Sequence, residues 1–298
     1  IFKASTINFN VPVLTVLNPG FVVLGQRLGK EKLFEYITNF GFGKKTGIDL
    51  NGEATGILFN LDKVGPVELA TTAFGQGISV TAIQQVSAVS AVVNGGTLYT
   101  PYIVSSVGNK NNNPKIKKEN IITKETSDLV KYALESVVAN GSGRNAYIEN
   151  YRIGGKTGTA QKVGSDGRYM YGNYVLSFIG FMPADDPEYV IYIALDHPTG
   201  VTQYGGVVSA PIARNVLKDI ISIYNIPESK DGIPKSYRWD DIVYVTVPDI
   251  IGKTKKEAKM LLKDFNVEFV GDSDKVFTSS PSSGMKVKMG STIKVLLN

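Results

Sequence analysis

Apolar residues recur at helical spacing in several stretches of the chain and at strand-like density in others, which predicts a mixed architecture. In residues 30–40, Leu33, Ile37 and Phe40 fall on one face and Gly41 supplies a C-terminal stop, so an amphipathic helix is expected. A second helix begins at Thr81, where Thr81-Ala82-Ile83-Gln84 has capping-box spacing, and runs through Val86, Ala88, Val89 and Val93 to Gly95-Gly96. It is nearly all apolar and should be buried. A third, over residues 126–139, repeats Leu129, Val130, Ala133, Leu134, Val137 and Val138 at helical spacing, with a solvated polar face.

Residues 154–162, 174–181 and 189–196 are rich in β-branched and aromatic side chains or glycine and are separated by the turn-prone Gly164-Ser165-Asp166-Gly167 and Ala184-Asp185-Asp186-Pro187. Consecutive antiparallel strands follow. Residues 207–224 return to helical periodicity, so helices should cover one or both faces of that sheet, an α+β arrangement of enzyme size. The stretch 226–241 holds Pro227, Gly232 and Pro234 among many charges and reads as a linker. Beyond it, Thr254-Lys255-Lys256-Glu257 opens a short helix with Ala258, Leu261, Leu262 and Phe265 inward. Strand-like pieces flank it, giving a small β-α-β-β unit of about 55 residues, near the lower limit for independent folding. The expected organisation is therefore a larger domain over 1–225, a linker over 226–241 and a small domain over 242–298.

Composition changes this picture little: 298 residues, 43% hydrophobic and 20% charged, allow a sizeable core and argue against wholesale disorder. The chain has no cysteine, which excludes disulfides, thiolate metal sites and a cysteine nucleophile, and a single histidine, His197, which restricts any Ser-His-Asp arrangement. A lysine-based mechanism becomes more attractive, and His197 itself reads as a loop residue. A net charge of +5 suits an anionic partner, but the lysines are scattered and no basic-aromatic recognition motif points to nucleic acid. No run approaches the roughly 18 apolar residues of a membrane span and the first residues lack a signal peptide's pattern, so any membrane anchor is expected outside this sequence.

The strongest local signal is Gly154-Gly155-Lys156-Thr157-Gly158-Thr159-Ala160. A lysine among small residues on a strand offers a cation, hydroxyls and an exposed backbone edge to an extended ligand bearing a carboxylate. The plainer alternative is a glycine-rich strand on which another element packs closely. The spacing of a phosphate-binding loop is not met.

Lys-Thr-Gly is one of three motifs of serine penicillin-recognising enzymes, with Ser-x-x-Lys and Ser-x-Asn. The neighbouring pieces Phe74-Gly75-Gln76-Gly77, Asn94-Gly95-Gly96, Gly141-Ser142-Gly143, Tyr151-Arg152-Ile153 and Thr159-Ala160-Gln161, with Leu28-Gly29 and Phe40-Gly41-Phe42-Gly43 earlier, make residues 18–224 resemble class B penicillin-binding proteins. Val247-Pro248-Asp249, Ser280-Pro281 and Gly290-Ser291-Thr292 make the tail resemble a PASTA domain. The resemblance implies a serine penicillin-recognising transpeptidase fold, an antiparallel sheet flanked by helices, followed by that domain. It implies that Ile1-Phe2-Lys3 ends a Ser-x-x-Lys motif, with Lys3 the general base and the nucleophilic serine just before Ile1. Asn18 would be the asparagine of Ser-x-Asn, although Val16 stands where the serine belongs. Lys3 and Asn18 also stand closer than the family pattern has them, so either the protein has lost the intervening segment or, as is favoured here, that segment is not fully represented in this sequence. Lys156, Thr157, Gly158 and Thr159 would bind the substrate's terminal carboxylate.

The implied activity is peptidoglycan D,D-transpeptidation through a serine acyl-enzyme, blocked by β-lactams, with no cofactor or metal. Stem peptides and β-lactam antibiotics would be the ligands, a glycosyltransferase and division or sporulation proteins the partners. The location would be the outer face of the cell membrane, held by a single N-terminal anchor. Two other readings stand beside this one: a noncatalytic wall-binding or β-lactam-sensing protein, suggested by the altered Ser-x-Asn and the PASTA tail, and a β-lactamase, for which no deacylating glutamate motif is visible.

Overall fold

In the computed structural model, which describes residues 18–165, 167–235 and 244–298, the chain divides into two units, Ile1–Lys235 and Ser236–Asn298. The larger opens with α1 (Asn18–Leu28) and α2 (Lys30–Asn39), joined at Gly29, whose φ of 82° suits a residue without a β-carbon. In α2 the buried side chain is Phe34, not the expected Leu33, Ile37 and Phe40, because contacts run along more than one stripe: Tyr36 and Phe40 pack on a cluster of Ala91, Leu98 and Ile121.

After α3 (Pro66–Ala73) comes α4 (Ala82–Val93), which starts with the reciprocal cap read from the sequence. Gln84 N–H donates to Thr81 Oγ1 at 3.2 Å and Thr81 N–H to Gln84 Oε1 at 2.9 Å. Gln84 is a buried polar residue, and its amide nitrogen donates to Lys44 O and Thr55 O, so the whole side chain is satisfied. Four short strands follow that the apolar pattern did not reveal: β1 (Leu98–Thr100) pairs with β4 (Lys115–Lys118), enclosing the β2 (Ser106–Val107) and β3 (Lys110–Asn111) hairpin.

Helix α5 (Lys124–Asn140) begins two residues before the expected start, capped by Thr123. Leu129, expected on the core face, is 70% exposed, whereas Glu135 on the same helix is only 3% exposed. The chain then builds the central sheet from β5 (Gly154–Val163), β6 (Tyr169–Met182) and β7 (Tyr189–Asp196), antiparallel in that order. One face carries Phe178 and Met182 against Ala210, Ala213 and Leu217 of α6 (Gly205–Tyr224). The opposite face carries Phe181, packed with Val93 of α4, Ala184 and the partly buried Leu134 of α5. Period-2 alternation along β6 sends these side chains to opposite sides, so the sheet is covered on both.

Residues 226–235 lie on the larger unit. Ser229 N–H donates to Asn150 O at 2.7 Å, Asn140 Nδ2 to Pro234 O at 3.2 Å, and Ile226 packs on the core beside α6.

The smaller unit has a core of Val247, Ile250, Ala258, Leu262, Val276, Ile293 and Val295. Strand β8 (Tyr244–Thr246) precedes α7 (Lys255–Leu261), followed by β9 (Asn266–Val270), β10 (Val276–Ser280), β11 (Lys286–Lys288) and β12 (Thr292–Leu297). These form a β10-β12-β9 sheet and a β11-β8 pair, so the unit has more strands than the expected β-α-β-β; β11 is too short to show a period. Ala258 and Leu262 are inward as expected, but Leu261 is 45% exposed, since only one side of the short helix meets the sheet.

Candidate functional site

The motif residues Lys156, Thr157, Gly158 and Thr159 occupy the first half of β5, an edge strand of the central sheet. Lys156 stands opposite Ile179, Thr157 opposite Phe178, Gly158 opposite Ser177 and Thr159 opposite Leu176. Alternation therefore puts Thr157 and Thr159 on the α6 side and Lys156 and Gly158 on the other. The glycines answer to neighbours that leave no room. A β-carbon on Gly155 would stand 2.5 Å from Phe178 Cζ and 2.7 Å from Ile179 O, and one on Gly158 would overlap Ser177 Oγ. Helix α6 starts directly on this backbone: a β-carbon on Gly205 would lie 2.5 Å from Gly158 O and 2.6 Å from Ser177 O. Gly205 N–H also donates to Thr159 Oγ1 at 3.2 Å. Close packing and an open edge thus coexist on one strand.

Lys156 is half-buried, and its Nζ donates to Thr157 O at 2.8 Å. Burial penalises its charged form and pushes its pKa down from the ordinary lysine range to about 8. It remains mostly protonated at neutral pH. A part-buried cation with no carboxylate partner among the described residues is electrostatically suited to an anionic ligand.

Thr157 is 7% exposed, and its hydroxyl donates to Ser142 Oγ at 3.0 Å, while Thr159 is exposed. Ser142 follows the C-terminus of α5, so it reaches β5 through space, not through sequence proximity. Arg152, just ahead of β5, is held by the buried Glu135 of α5 and by Asp185 at 3.1 Å. Glu135 Oε1 additionally accepts from Ile233 N–H at 3.2 Å, so one carboxylate ties α5, the approach to β5 and residues 226–235 together. Sequence reading missed Ser142 and Glu135 as contributors, since nothing in a local pattern marks a serine or a glutamate that meets its partner only after folding.

Lys3 lies outside the described residues. Asn18 is exposed in the first turn of α1, whose Phe21 packs against Ala133 and Val137 of α5, the helix that leads to Ser142.

The penicillin binding protein transpeptidase domain matches residues 16–218 and the PASTA domain residues 245–298. Stage V sporulation protein D of Bacillus subtilis is 56% identical over 287 residues, 94% of this chain and 44% of that protein. Peptidoglycan D,D-transpeptidase FtsI of Escherichia coli is 32% identical over 210 residues, 70% of this chain and 34% of that one. Among solved structures, penicillin binding protein 3 of Mycobacterium tuberculosis in complex with ampicillin superposes with a TM-score of 0.67 at 28% identity, covering 76% of this chain and 53% of that one. The chain spans about half the length of these relatives or less. Sheet order, the lysine-bearing edge strand and the extent of these matches agree: the chain belongs to the penicillin-binding protein transpeptidase family and carries a PASTA domain after the transpeptidase domain.

Proposed function

We propose that this chain carries the acyl-transfer site of a peptidoglycan D,D-transpeptidase, with residues 1–225 as the transpeptidase domain, 226–241 as the connection and 242–298 as the PASTA domain. The observation that carries the reading is Lys156, a part-buried cation on an open edge strand with exposed Thr159 three residues on. A stem peptide ending in D-Ala-D-Ala pairs with the free edge of β5 as an added strand. Thr159 takes its terminal carboxylate, Lys156 supplies positive charge from the other face of the same edge strand, Gly158 leaves the backbone open to the peptide, and Thr157 keeps the strand in place through Ser142.

The Ser-x-x-Lys resemblance assigns Lys3 as the base and puts the nucleophilic serine one helical turn ahead of it. The serine oxygen attacks the carbonyl carbon of the penultimate D-Ala as its proton passes to Lys3. Backbone N–H groups, one beside Thr159, take the developing oxyanion; loss of one such donor typically lowers the rate by about 100- to 1000-fold. The peptide bond breaks, the terminal D-Ala leaves with the proton from Lys3, and an amine of a second stem peptide then attacks the ester and restores the serine. A β-lactam enters the same path and stops at the ester. Asn18 stands in this reading as a further polar group of the site.

The B. subtilis relative is named for sporulation, and the ampicillin complex shows a β-lactam on a relative of this fold. On that basis stem peptides and β-lactams are the proposed ligands, and division or sporulation proteins with a glycosyltransferase the proposed partners. No helix among the described residues is long and apolar enough to cross a membrane. We place the site outside the cell, anchored through a segment beyond this sequence.

The test is penicillin acylation of the full-length protein, read by intact mass. One stable adduct is expected, and Lys156→Ala should slow its formation by at least about 100-fold with the fold intact. Unchanged acylation in that variant would sink the role of Lys156.

A further inference from the structure

The β5–β6 hairpin runs past the candidate site and ends in a feature that acyl transfer itself does not use. Gln161 pairs with Tyr174 and Val163 with Tyr169, so the single residue Lys162 faces residues 170–173 on β6. The extra residues are shaped by specific contacts. Gly172 takes a φ of 75°, Asn173 Nδ2 donates to Tyr171 O at 3.0 Å, and Lys162 is tied across the sheet to Asp196 of β7 at 2.7 Å. Tyr171 is 93% exposed, and its neighbours Tyr169, Met170 and Val163 are exposed as well. A cluster of exposed aromatic and apolar side chains on a shaped protrusion marks a contact surface.

Burial decides which way an added strand can run along β5. Gly154 and Gly155 are buried, and Ser142 and Glu135 close in on that end, whereas residues 158–163 are half-buried or exposed. A peptide whose carboxylate sits along the 156–159 stretch of β5 therefore extends toward Val163, antiparallel to β5. From Lys156 to Lys162 the strand covers about 20 Å at about 3.4 Å per residue. A stem peptide of roughly five residues, fully extended, covers about 17 Å. Its far end, where the lactyl ether joins it to the glycan, arrives level with the protrusion.

We propose that the protrusion carrying Tyr171 binds the sugar ring to which the donor stem peptide is attached, an inference that rests on the acyl-transfer reading above. The tyrosine ring offers an apolar face to the C–H face of a pyranose and a hydroxyl to its polar rim. The site thereby distinguishes peptides still attached to glycan from free peptides of the same sequence.

The experiment uses the full-length protein and two donor probes, a stem pentapeptide ending in D-Ala-D-Ala with and without an N-terminal N-acetylmuramyl group. Acyl-enzyme formation is followed by rapid-quench intact mass. The muramyl peptide should react about fivefold faster at subsaturating concentration, the size of one aromatic contact. In Tyr171→Ala that ratio should fall to about one, and in Tyr171→Phe, which keeps the ring, it should persist. Equal rates for the two probes in the unaltered protein, or an unchanged ratio in Tyr171→Ala, would overturn the assignment. An unaltered protein that neither probe nor penicillin acylates would overturn the acyl-transfer reading itself, and this inference with it.

Discussion

Glu135 and Arg152 form a two-pronged ion pair, with Arg152 Nε 3.1 Å from Oε1 and Nη2 2.8 Å from Oε2 of the buried carboxylate. The pair joins α5 to the residue that leads into β5, and the same carboxylate receives Ile233 N–H. Bidentate geometry and a further donor offset the desolvation of the charges, but removal of one partner leaves the other uncompensated.

Glu135→Gln should therefore destabilise the transpeptidase domain by about 3 kcal/mol. Scanning calorimetry should show its transition lowered by about 6–12 °C, with the PASTA transition in place. A shift under about 2 °C would mean that Asp185 alone balances Arg152.

Lys156 gives a pH dependence with a definite sign. Its pKa is depressed to about 8, so the cation that attracts a carboxylate is present below that value and is lost as pH rises through it. Capture of a β-lactam by the full-length protein should weaken above about pH 8, superimposed on any gain from deprotonation of the base. Lys156→Arg isolates the effect, since arginine stays charged throughout and should show no such loss between about pH 7 and 10. In the free protein the shift also makes folding more favourable as pH climbs from about 8 to 10.5, where only the unfolded lysine still holds its proton.

Gly158→Ala should slow penicillin acylation, because its methyl group overlaps Ser177 Oγ on the neighbouring strand. Only the hydroxyl is in the way; the Ser177 β-carbon would stand at 3.8 Å. Adding Ser177→Ala should recover most of the lost rate. If the double variant is as slow as the single one, some element other than Ser177 limits the space at Gly158.

Ser142 and Thr157 share one hydrogen bond, and Thr157 is almost wholly enclosed. Thr157→Val and Ser142→Ala should each lower stability by about 1 kcal/mol, and the double variant by clearly less than their sum. Denaturant titration of the four proteins checks this; strict additivity would show that the two hydroxyls act separately.

What could be read from the sequence was whatever depends on local period or chain punctuation. The cap at Thr81 and the alternation in β6 and β7 are of that kind, since each needs only residues a few positions apart. The buried face of α5 was misjudged at Leu129 because one helix meets both the sheet and Phe21 of α1, and a single apolar stripe does not describe two contacts. At the candidate site, Lys156 stood out through its glycine setting and the alternation along β5 is local, but the reach of Ser142 to Thr157 arises only when α5 closes against β5. Lys3 belongs to residues outside the described part, and its role still rests on the motif alone.

The seating of Gly205 on the backbone of Gly158 and Ser177 limits how this site can change under antibiotic selection. With no atom's width between α6 and the strands, a substitution at position 205 displaces the helix itself and, on the proposed reading, impairs substrate and drug together. On the same reading, variation that spares the natural reaction is left to the hairpin beyond Gln161, where a cell-wall peptide is long enough to make contacts that a compact β-lactam never reaches.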